Sequence, residues 1–196
     1  MLPLGNPSAN PYRGRRCKSR SVPASPSWRC IIHVLLTGGS GFIGRRVAGA
    51  LVAGGHTVIC AERRAGRMAE LGVPCRTVTI DFERAQAAAD WLPHLAGIDV
   101  VVNAVGILRE TAEQHFASLH VAAPRALFAA CTTAGVRRVV QISALGADAE
   151  ARSRYHLSKK AADDFLLALP LSAVVVQPSL IYGPGGSSAA LFDRLA

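Results

Sequence analysis

The chain has 196 residues, half of them apolar, and a formal net charge of +9. This length supports one domain or one domain plus a fragment, and no uninterrupted apolar run reaches the ~18 residues of a membrane-spanning helix. Six of the 22 basic residues lie in residues 1–30, which hold no acid, so the other 16 face 13 acidic residues. The charge of the rest of the chain therefore does not indicate binding to nucleic acid.

Residues 1–29 are rich in Pro, Ser, Gly and Arg and show no apolar periodicity, so we predict a disordered basic tail. The composition is also compatible with an organellar transit peptide, with a nucleic-acid-binding arm, or with a true translation start near Cys30. Because amphipathic spacing is absent, disorder or the later start is favoured over targeting.

The five cysteines are odd in number and lack metal-ligand spacing: Cys17, Cys30, Cys60, Cys75 and Cys131. This pattern predicts reduced thiols in a cytoplasmic protein and no metal site.

From Cys30 onward, apolar strand patterns alternate with helical patterns. The predicted strands are Ile31–Thr37, Thr57–Ala61, Arg76–Ile80, Asp99–Asn103, Arg138–Ile142 and Ala173–Gln177. The predicted helices are Arg45–Ala53, Arg67–Leu71, Glu83–Leu95, Glu113–Ala134 and Tyr155–Leu169. Repeated βα units with right-handed crossovers predict an α/β fold with a doubly wound parallel sheet, the Rossmann fold, over residues 30–196.

A glycine-rich turn joins the first strand to the first helix, with the sequence Thr37-Gly38-Gly39-Ser40-Gly41-Phe42-Ile43-Gly44. Glycines at such a turn let the backbone approach a pyrophosphate closely and let the helix pack tightly on the strand. The helix amino end then faces the anion. A plain βα turn is the alternative, but the preceding strand and following helix favour a dinucleotide site.

Glu62, Arg63 and Arg64 follow the second strand, where this fold reads the adenosine ribose. An acid there favours NAD, and an arginine favours the 2′-phosphate of NADP. The two arginines make NADP the preferred cofactor over NAD. Alternatively, both arginines are solvated and Glu62 binds the ribose hydroxyls.

Two further strand ends are predicted to reach the cofactor. Asp81 ends the third strand. We expect it either to contact the adenine amino group or to serve as a helix N-cap. Small residues follow the fourth strand in Asn103-Ala104-Val105-Gly106. They allow the loop to pass close to an adenosine, or they form a tight strand-to-helix turn.

The predicted catalytic residues are Ser143, at the end of the fifth strand, and Tyr155 and Lys159, at the start of the next helix. Tyr155 and Lys159 are four residues apart and share a helix face. The lysine ammonium is expected to lower the phenol pKa, so that Tyr155 exchanges a proton with a substrate hydroxyl. Ser143 is expected to hydrogen-bond the same oxygen.

These motifs, with the closing Gln177-Pro178-Ser179-Leu180-Ile181-Tyr182-Gly183-Pro184, resemble the short-chain dehydrogenase/reductase superfamily. More narrowly, they resemble its extended and atypical branch, the NAD-dependent epimerase/dehydratase group. The stretches Val105–Leu108 and Ile142–Asp148 are similar to bacterial relatives of the nucleotide-binding accessory subunit of respiratory complex I.

The resemblance implies which residues contact the cofactor. Gly38, Gly41, Phe42, Ile43 and Gly44 would line the pyrophosphate, Lys159 would hold the nicotinamide ribose, and the backbone around Pro178–Ile181 would lie against the nicotinamide. Two departures weaken a nucleotide-sugar substrate. Gln177 replaces the arginine of many extended members, and His120, expected to be a packed or hydrogen-bonded residue, replaces an asparagine.

The resemblance supports three functions. The first is a nicotinamide-dependent oxidoreductase acting on a small-molecule carbonyl or alcohol. The second is a non-catalytic NADP(H)-binding subunit or assembly factor of a membrane complex, and the third is a sugar-nucleotide epimerase or dehydratase. Because extended members continue for roughly another hundred residues, the chain is expected to lack most of its substrate-binding part. The helices beginning near Glu113 and Tyr155 often pair in this superfamily, which makes a homodimer possible.

Overall fold

The structure is a computed structural model that describes residues 31–183. The predicted tail, Cys17, Cys30 and Pro184 lie outside the described residues. Six strands form one sheet: β1 (His33–Thr37), β2 (Thr57–Glu62), β3 (Arg76–Thr79), β4 (Val100–Asn103), β5 (Arg138–Ile142) and β6 (Ser172–Val176). All neighbours pair in parallel, in the order β3-β2-β1-β4-β5-β6. The predicted doubly wound parallel sheet is confirmed, and this order is the one typical of dinucleotide-binding folds.

Helices connect the strands. They are α1 (Phe42–Ala53), α2 (Arg67–Glu70), α3 (Ala88–Trp91), α4 (Ala123–Ala134) and α5 (Arg154–Leu167). A 3₁₀ turn, Leu92–His94, follows α3, and a π-helical turn, Ala117–Ala122, leads into α4. Among the described residues, no helix is long and apolar enough to span a membrane.

The predicted helix Glu83–Leu95 is wrong in its first half, since α3 begins only at Ala88. In the preceding segment, Asp81 Oδ1 accepts a hydrogen bond from Glu83 N and the Asp81 carbonyl accepts one from Ala85 N, so a single turn forms there. The fully buried Trp91 then donates its indole N–H to the Ala85 carbonyl at 3.0 Å. In a continuous helix this carbonyl would accept from the backbone N–H four residues later.

The central strands are buried on both faces, which explains their nearly continuous apolar sequence. On β1, Leu35 belongs to the larger core cluster, whereas Val34 and Leu36 belong to the smaller one. On β4, Val101 and Val102 divide in the same way. The sheet therefore separates two apolar layers and leaves only its strand ends for polar chemistry.

A buried polar bridge crosses three strands at their carboxyl ends. Thr37, Asn103 and Gln141 occupy matching register positions on β1, β4 and β5. Thr37 Oγ1 donates to Asn103 Oδ1 at 2.5 Å, and Asn103 Nδ2 donates to Gln141 Oε1 at 2.7 Å. Each of these side chains is at most 1 % exposed, so the bridge fixes the edge of the sheet from which the loops depart.

The cysteines within residues 31–183 are all free thiols. The sulfur atoms of Cys60 and Cys75 lie 3.1 Å apart, beneath the glycine turn. Burial raises the pKa of the Cys131 thiol to about 12, so this thiol is unreactive at neutral pH.

Candidate functional site

Two adjoining cavities open at the carboxyl edge of the sheet, with volumes of about 680 and 220 Å³. The larger is lined by predicted site residues from five segments: Gly41, Phe42, Ile43, Ala104, Val105, Gly106, Ser143, Tyr155, Lys159, Pro178 and Ile181. The smaller is lined by Gly38, Gly41, Glu62, Arg63, Asp81, Ala104, Val105 and Gly106. The fold thus brings most of the predicted residues to one surface, although direct cofactor contact by each stays a prediction.

The glycine turn is packed so closely that a residue with a Cβ atom does not fit at Gly38 or Gly44. Gly38 has φ +68°, and a Cβ there would lie 2.6 Å from the Ala104 carbonyl oxygen. A Cβ on Gly44 would lie 2.1 Å from the Gly38 carbonyl oxygen. Helix α1 starts at once after Gly41, whose backbone N–H donates to Gly38 O. The first turn of a helix has unpaired N–H groups, so this cradle fits a bound diphosphate.

The smaller cavity lies beside the end of β2. Both oxygens of the buried Glu62 carboxylate accept backbone hydrogen bonds, from Gly66 N at 2.7 Å and Met68 N at 3.0 Å. Its side chain therefore orders the turn into α2. Exposed Arg63 lines the cavity, whereas Arg64 forms an ion pair with Glu70 at 2.7 Å. The structure brings one of the two predicted arginines to this cavity.

Asp81 lines the same cavity, and its Oδ1 accepts the hydrogen bond from Glu83 N. It caps a turn and not the helix that the sequence predicts there. Its other oxygen lies 3.5 Å from Arg84 Nε. The carboxylate is partly exposed and stays available to a polar ligand.

Tyr155 and Lys159 lie one turn apart near the start of α5, which Ser153 caps by accepting a hydrogen bond from His156 N. The Tyr155 ring makes edge contacts with Phe116 and His120. Burial raises the pKa of the Tyr155 phenol above its ordinary value. Because Lys159 does not contribute to this shift, the expected lowering of the phenol pKa by Lys159 is wrong, and the phenol is protonated at neutral pH.

Lys159 is directed to backbone carbonyls. Its Nζ donates to Ile142 O at 2.9 Å and, more weakly, to Val105 O at 3.5 Å. Burial lowers the pKa of Lys159 to about 8, partly offset by Asp163. A Cβ on Gly106 would lie 3.2 Å from the same Nζ, so the small-residue turn after β4 makes room for the lysine head.

Ser143 is 4 % exposed, and its hydroxyl donates to the Asp163 carboxylate. A serine has a single O–H to donate, so this hydrogen is not available to a substrate carbonyl in this arrangement. Sequence reasoning did not find Asp163. The available signal was its spacing, one helical turn beyond Lys159.

His120 is 1 % exposed, and both ring nitrogens are hydrogen-bonded. Nε2 accepts from Ile107 N at 3.0 Å, which places the ring proton on Nδ1, and Nδ1 donates to Ser158 Oγ at 2.9 Å. Burial, followed by the Lys159 charge, lowers the pKa of His120 to about 3. The expected packed, hydrogen-bonded histidine is confirmed.

Thr37 and Asn103, predicted to contact the cofactor, are both fully buried in the polar bridge. Their position indicates a supporting role, since they hold β1 and β4 together below the turns that line the cavities.

Apolar side chains surround the larger cavity at its outer end. Leu108, Leu145 and Leu180 line it while remaining 62 %, 61 % and 59 % exposed. Lys159 and His156 are the basic residues among its described lining. The cavity therefore offers little positive charge to a ligand beyond that at Lys159.

Comparisons with known proteins agree with this geometry. Residues 34–196 match the model of the NAD dependent epimerase/dehydratase family. The ceramide reductase of Caulobacter vibrioides is 30 % identical over 165 residues, which cover 83 % of this chain and 50 % of the relative. The chain thus spans half the length of this curated relative.

Two solved structures are also similar. MoeE5 in complex with UDP-glucose and NAD is 26 % identical, with a TM-score of 0.66 over 83 % of this chain and 59 % of that one. A short-chain dehydrogenase from Streptomyces avermitilis is 27 % identical, with a TM-score of 0.61 over 79 % of this chain and 68 % of that one.

Proposed function

The chain belongs to the NAD dependent epimerase/dehydratase family, and from this premise we propose that it is a nicotinamide-dependent oxidoreductase that interconverts a carbonyl group and a secondary alcohol. One observation carries the proposal. Tyr155 and Lys159 line the same cavity as the glycine turn, so a proton donor and a dinucleotide cradle share one space.

The glycine cradle fits the coenzyme because it depends on backbone packing that only glycines allow: a Cβ on Gly38 or Gly44 would collide with neighbouring backbone atoms. Gly38, Gly41 and the first turn of α1 would hold the diphosphate, and Lys159 would hold the nicotinamide ribose. The segment from Pro178 to Ile181 would border the nicotinamide. When bound, the coenzyme supplies or accepts the hydride.

Tyr155 is the proposed general acid/base. Because burial raises its pKa, the phenol carries its proton at neutral pH and donates it as negative charge develops on a carbonyl oxygen. This state favours reduction of a ketone.

NADP is the proposed coenzyme. Glu62 is only 3 % exposed and its carboxylate is held by two backbone N–H groups of the turn into α2, which disfavours the use of this carboxylate for ribose hydroxyls. Arg63 lines the cavity at the expected ribose end, where a guanidinium pairs well with a 2′-phosphate.

A ketone on a long apolar chain is the proposed substrate class. The outer leucines, Leu108, Leu145 and Leu180, suit such a chain better than a charged nucleotide sugar. The Caulobacter relative is named a ceramide reductase. The first lipid to test is therefore the ketone that is formed when ceramide is oxidised.

Turnover of NADPH by the purified 196-residue chain tests the function. A lipid ketone in mixed micelles should cause loss of absorbance at the nicotinamide band, and Tyr155→Phe should reduce kcat at least ~100-fold without weakening NADPH binding. Tyr182→Phe is the matched control, since Tyr182 is 68 % exposed. Equal rates in wild type and Tyr155→Phe would overturn the mechanism.

A non-catalytic NADP(H)-binding subunit or assembly factor is the second candidate. The specific observation in its favour is the commitment of the Ser143 hydroxyl to Asp163, which leaves Tyr155 without the expected partner at the carbonyl. Retention of NADPH through purification, no turnover with any ketone, and co-isolation with a membrane complex would favour this candidate.

A further inference from the structure

Two consecutive residues at the end of β5 form hydrogen bonds with two residues that lie one turn apart on α5. The Ile142 carbonyl accepts from Lys159 Nζ at 2.9 Å, and the Ser143 hydroxyl donates to Asp163 Oδ2. Ser143, Lys159 and Asp163 are each 4 % exposed. The strand end and the helix are therefore joined at two points in the protein interior.

This double attachment lies on the helix face that carries the proposed acid/base. Tyr155, Lys159 and Asp163 follow one another at intervals of four residues, so they form one stripe along α5. Rotation or sliding of the helix about its axis would move all three together. A bond at Asp163 therefore restrains where Tyr155 and Lys159 sit.

We propose that Asp163 is a positioning residue, with Ser143 as its buried partner, that holds the Tyr155–Lys159 pair in place. This inference rests on the proposed oxidoreductase function. It assigns Ser143 to the support of the helix and not to polarisation of the substrate carbonyl.

The charges around Asp163 support this assignment. Burial, the largest effect, raises the pKa of Asp163 above its ordinary value. Ser143 and Gln141 of β5 and Lys159 of the same helix lower this pKa, and Asp164 raises it. From the π-helical turn, His120 faces Lys159, and Arg125 of α4 stacks on Phe165. Asp163 in turn raises the pKa of Lys159 against the effect of burial.

A double-mutant cycle separates the two roles of Ser143. Ser143→Ala, Asp163→Ala and the double variant are compared in kcat, KM and NADPH affinity. If the residues act as a pair, each single variant lowers kcat by roughly tenfold and the double variant falls no further, because coupled residues are not additive. A large loss in Ser143→Ala with near-normal Asp163→Ala, and additive effects in the double variant, would overturn the proposal.

The pH profile tests the charge. Asp163→Asn keeps a hydrogen-bond acceptor for Ser143 but removes the carboxylate. Lys159 should then lose its proton at a lower pH, and the alkaline limb of the kcat/KM profile should shift to lower pH. Asp164→Asn is the control, since Asp164 is exposed and paired with Lys160, and should leave the limb in place.

A readout without turnover separates failure of this inference from failure of the proposed function. NMR titration of ¹³Cε-labelled lysine in the coenzyme-free protein reports the Lys159 pKa, with Lys159→Met used to assign its signal. A lower pKa in Asp163→Asn than in wild type supports the inference even if no ketone is reduced. An unchanged pKa overturns it even if the wild type is active.

Discussion

The Gly38 carbonyl oxygen lies where a side chain on Gly44 would begin, since a Cβ there would approach it to 2.1 Å. Gly44→Ala should therefore displace the turn from α1 and reduce coenzyme affinity at least ~10-fold, with a stability loss of about 1–3 kcal/mol. Isothermal titration with NADPH and urea unfolding would measure the two effects.

Gly49 provides the control on the same helix, because a Cβ added there meets nothing within 4 Å. Gly49→Ala should leave affinity unchanged and stabilise the protein by about 0.5–1 kcal/mol, since alanine loses less backbone entropy in a helix. Similar affinities for both variants would mean that the coenzyme does not use this turn.

Arg63→Ala should weaken NADPH binding by roughly tenfold or more while leaving NADH binding unchanged, because only NADP carries the 2′-phosphate. Arg64→Ala should have a much smaller effect, since Arg64 is paired with Glu70 on the surface. Fluorescence titrations of both variants with both coenzymes would measure the difference. Equal losses for NADPH and NADH would contradict a phosphate contact.

Asn103→Ala should lower the free energy of unfolding by about 3 kcal/mol, because it leaves the buried Thr37 and Gln141 side chains without their partner. Urea unfolding would measure this loss. Comparing the loss of unfolding free energy with the loss of coenzyme affinity tests the predicted cofactor contact by Asn103. A large loss of coenzyme affinity with unchanged stability would identify Asn103 as a direct contact and not as a support.

His120 should make the protein sensitive to acid. Burial holds its pKa at about 3 against an ordinary 6.5, so between these values the unfolded chain binds a proton that the folded chain does not. The part of the free energy of unfolding that is linked to His120 is therefore fully present above pH 6.5 and is lost as the pH falls towards 3. Unfolding midpoints in urea at pH 7 and 4.5 should differ less in His120→Asn than in wild type; equal differences would contradict this assignment.

Elements defined by local patterning were predictable from the sequence. The strand Arg138–Ile142 is confirmed at both ends, and the glycine turn lies between the expected strand and helix. The helix predicted from Glu83 failed in its first half, where Asp81 forms a turn and the side chain of Trp91 hydrogen-bonds the Ala85 carbonyl. Apolar spacing does not report such contacts.

The partners of the site residues were the less predictable part. Spacing predicted that Tyr155 and Lys159 share a helix face, but the Ser143–Asp163 bond depends on how α5 docks on β5. The role of Asn103 similarly depends on the register of three strands that are far apart in sequence. Long-range pairings of this kind leave no local signal.

The close approach of Gly38 to Ala104 also bears on synthesis by the ribosome. These residues belong to turns after neighbouring strands, and β4 lies beyond β2 and β3 along the chain. A nascent polypeptide that has exposed only its first three strands lacks one wall of the cradle. The wall that Ala104 adds to the cradle is therefore in place only after residue 106 has left the exit tunnel, while β5 and β6 are still to follow.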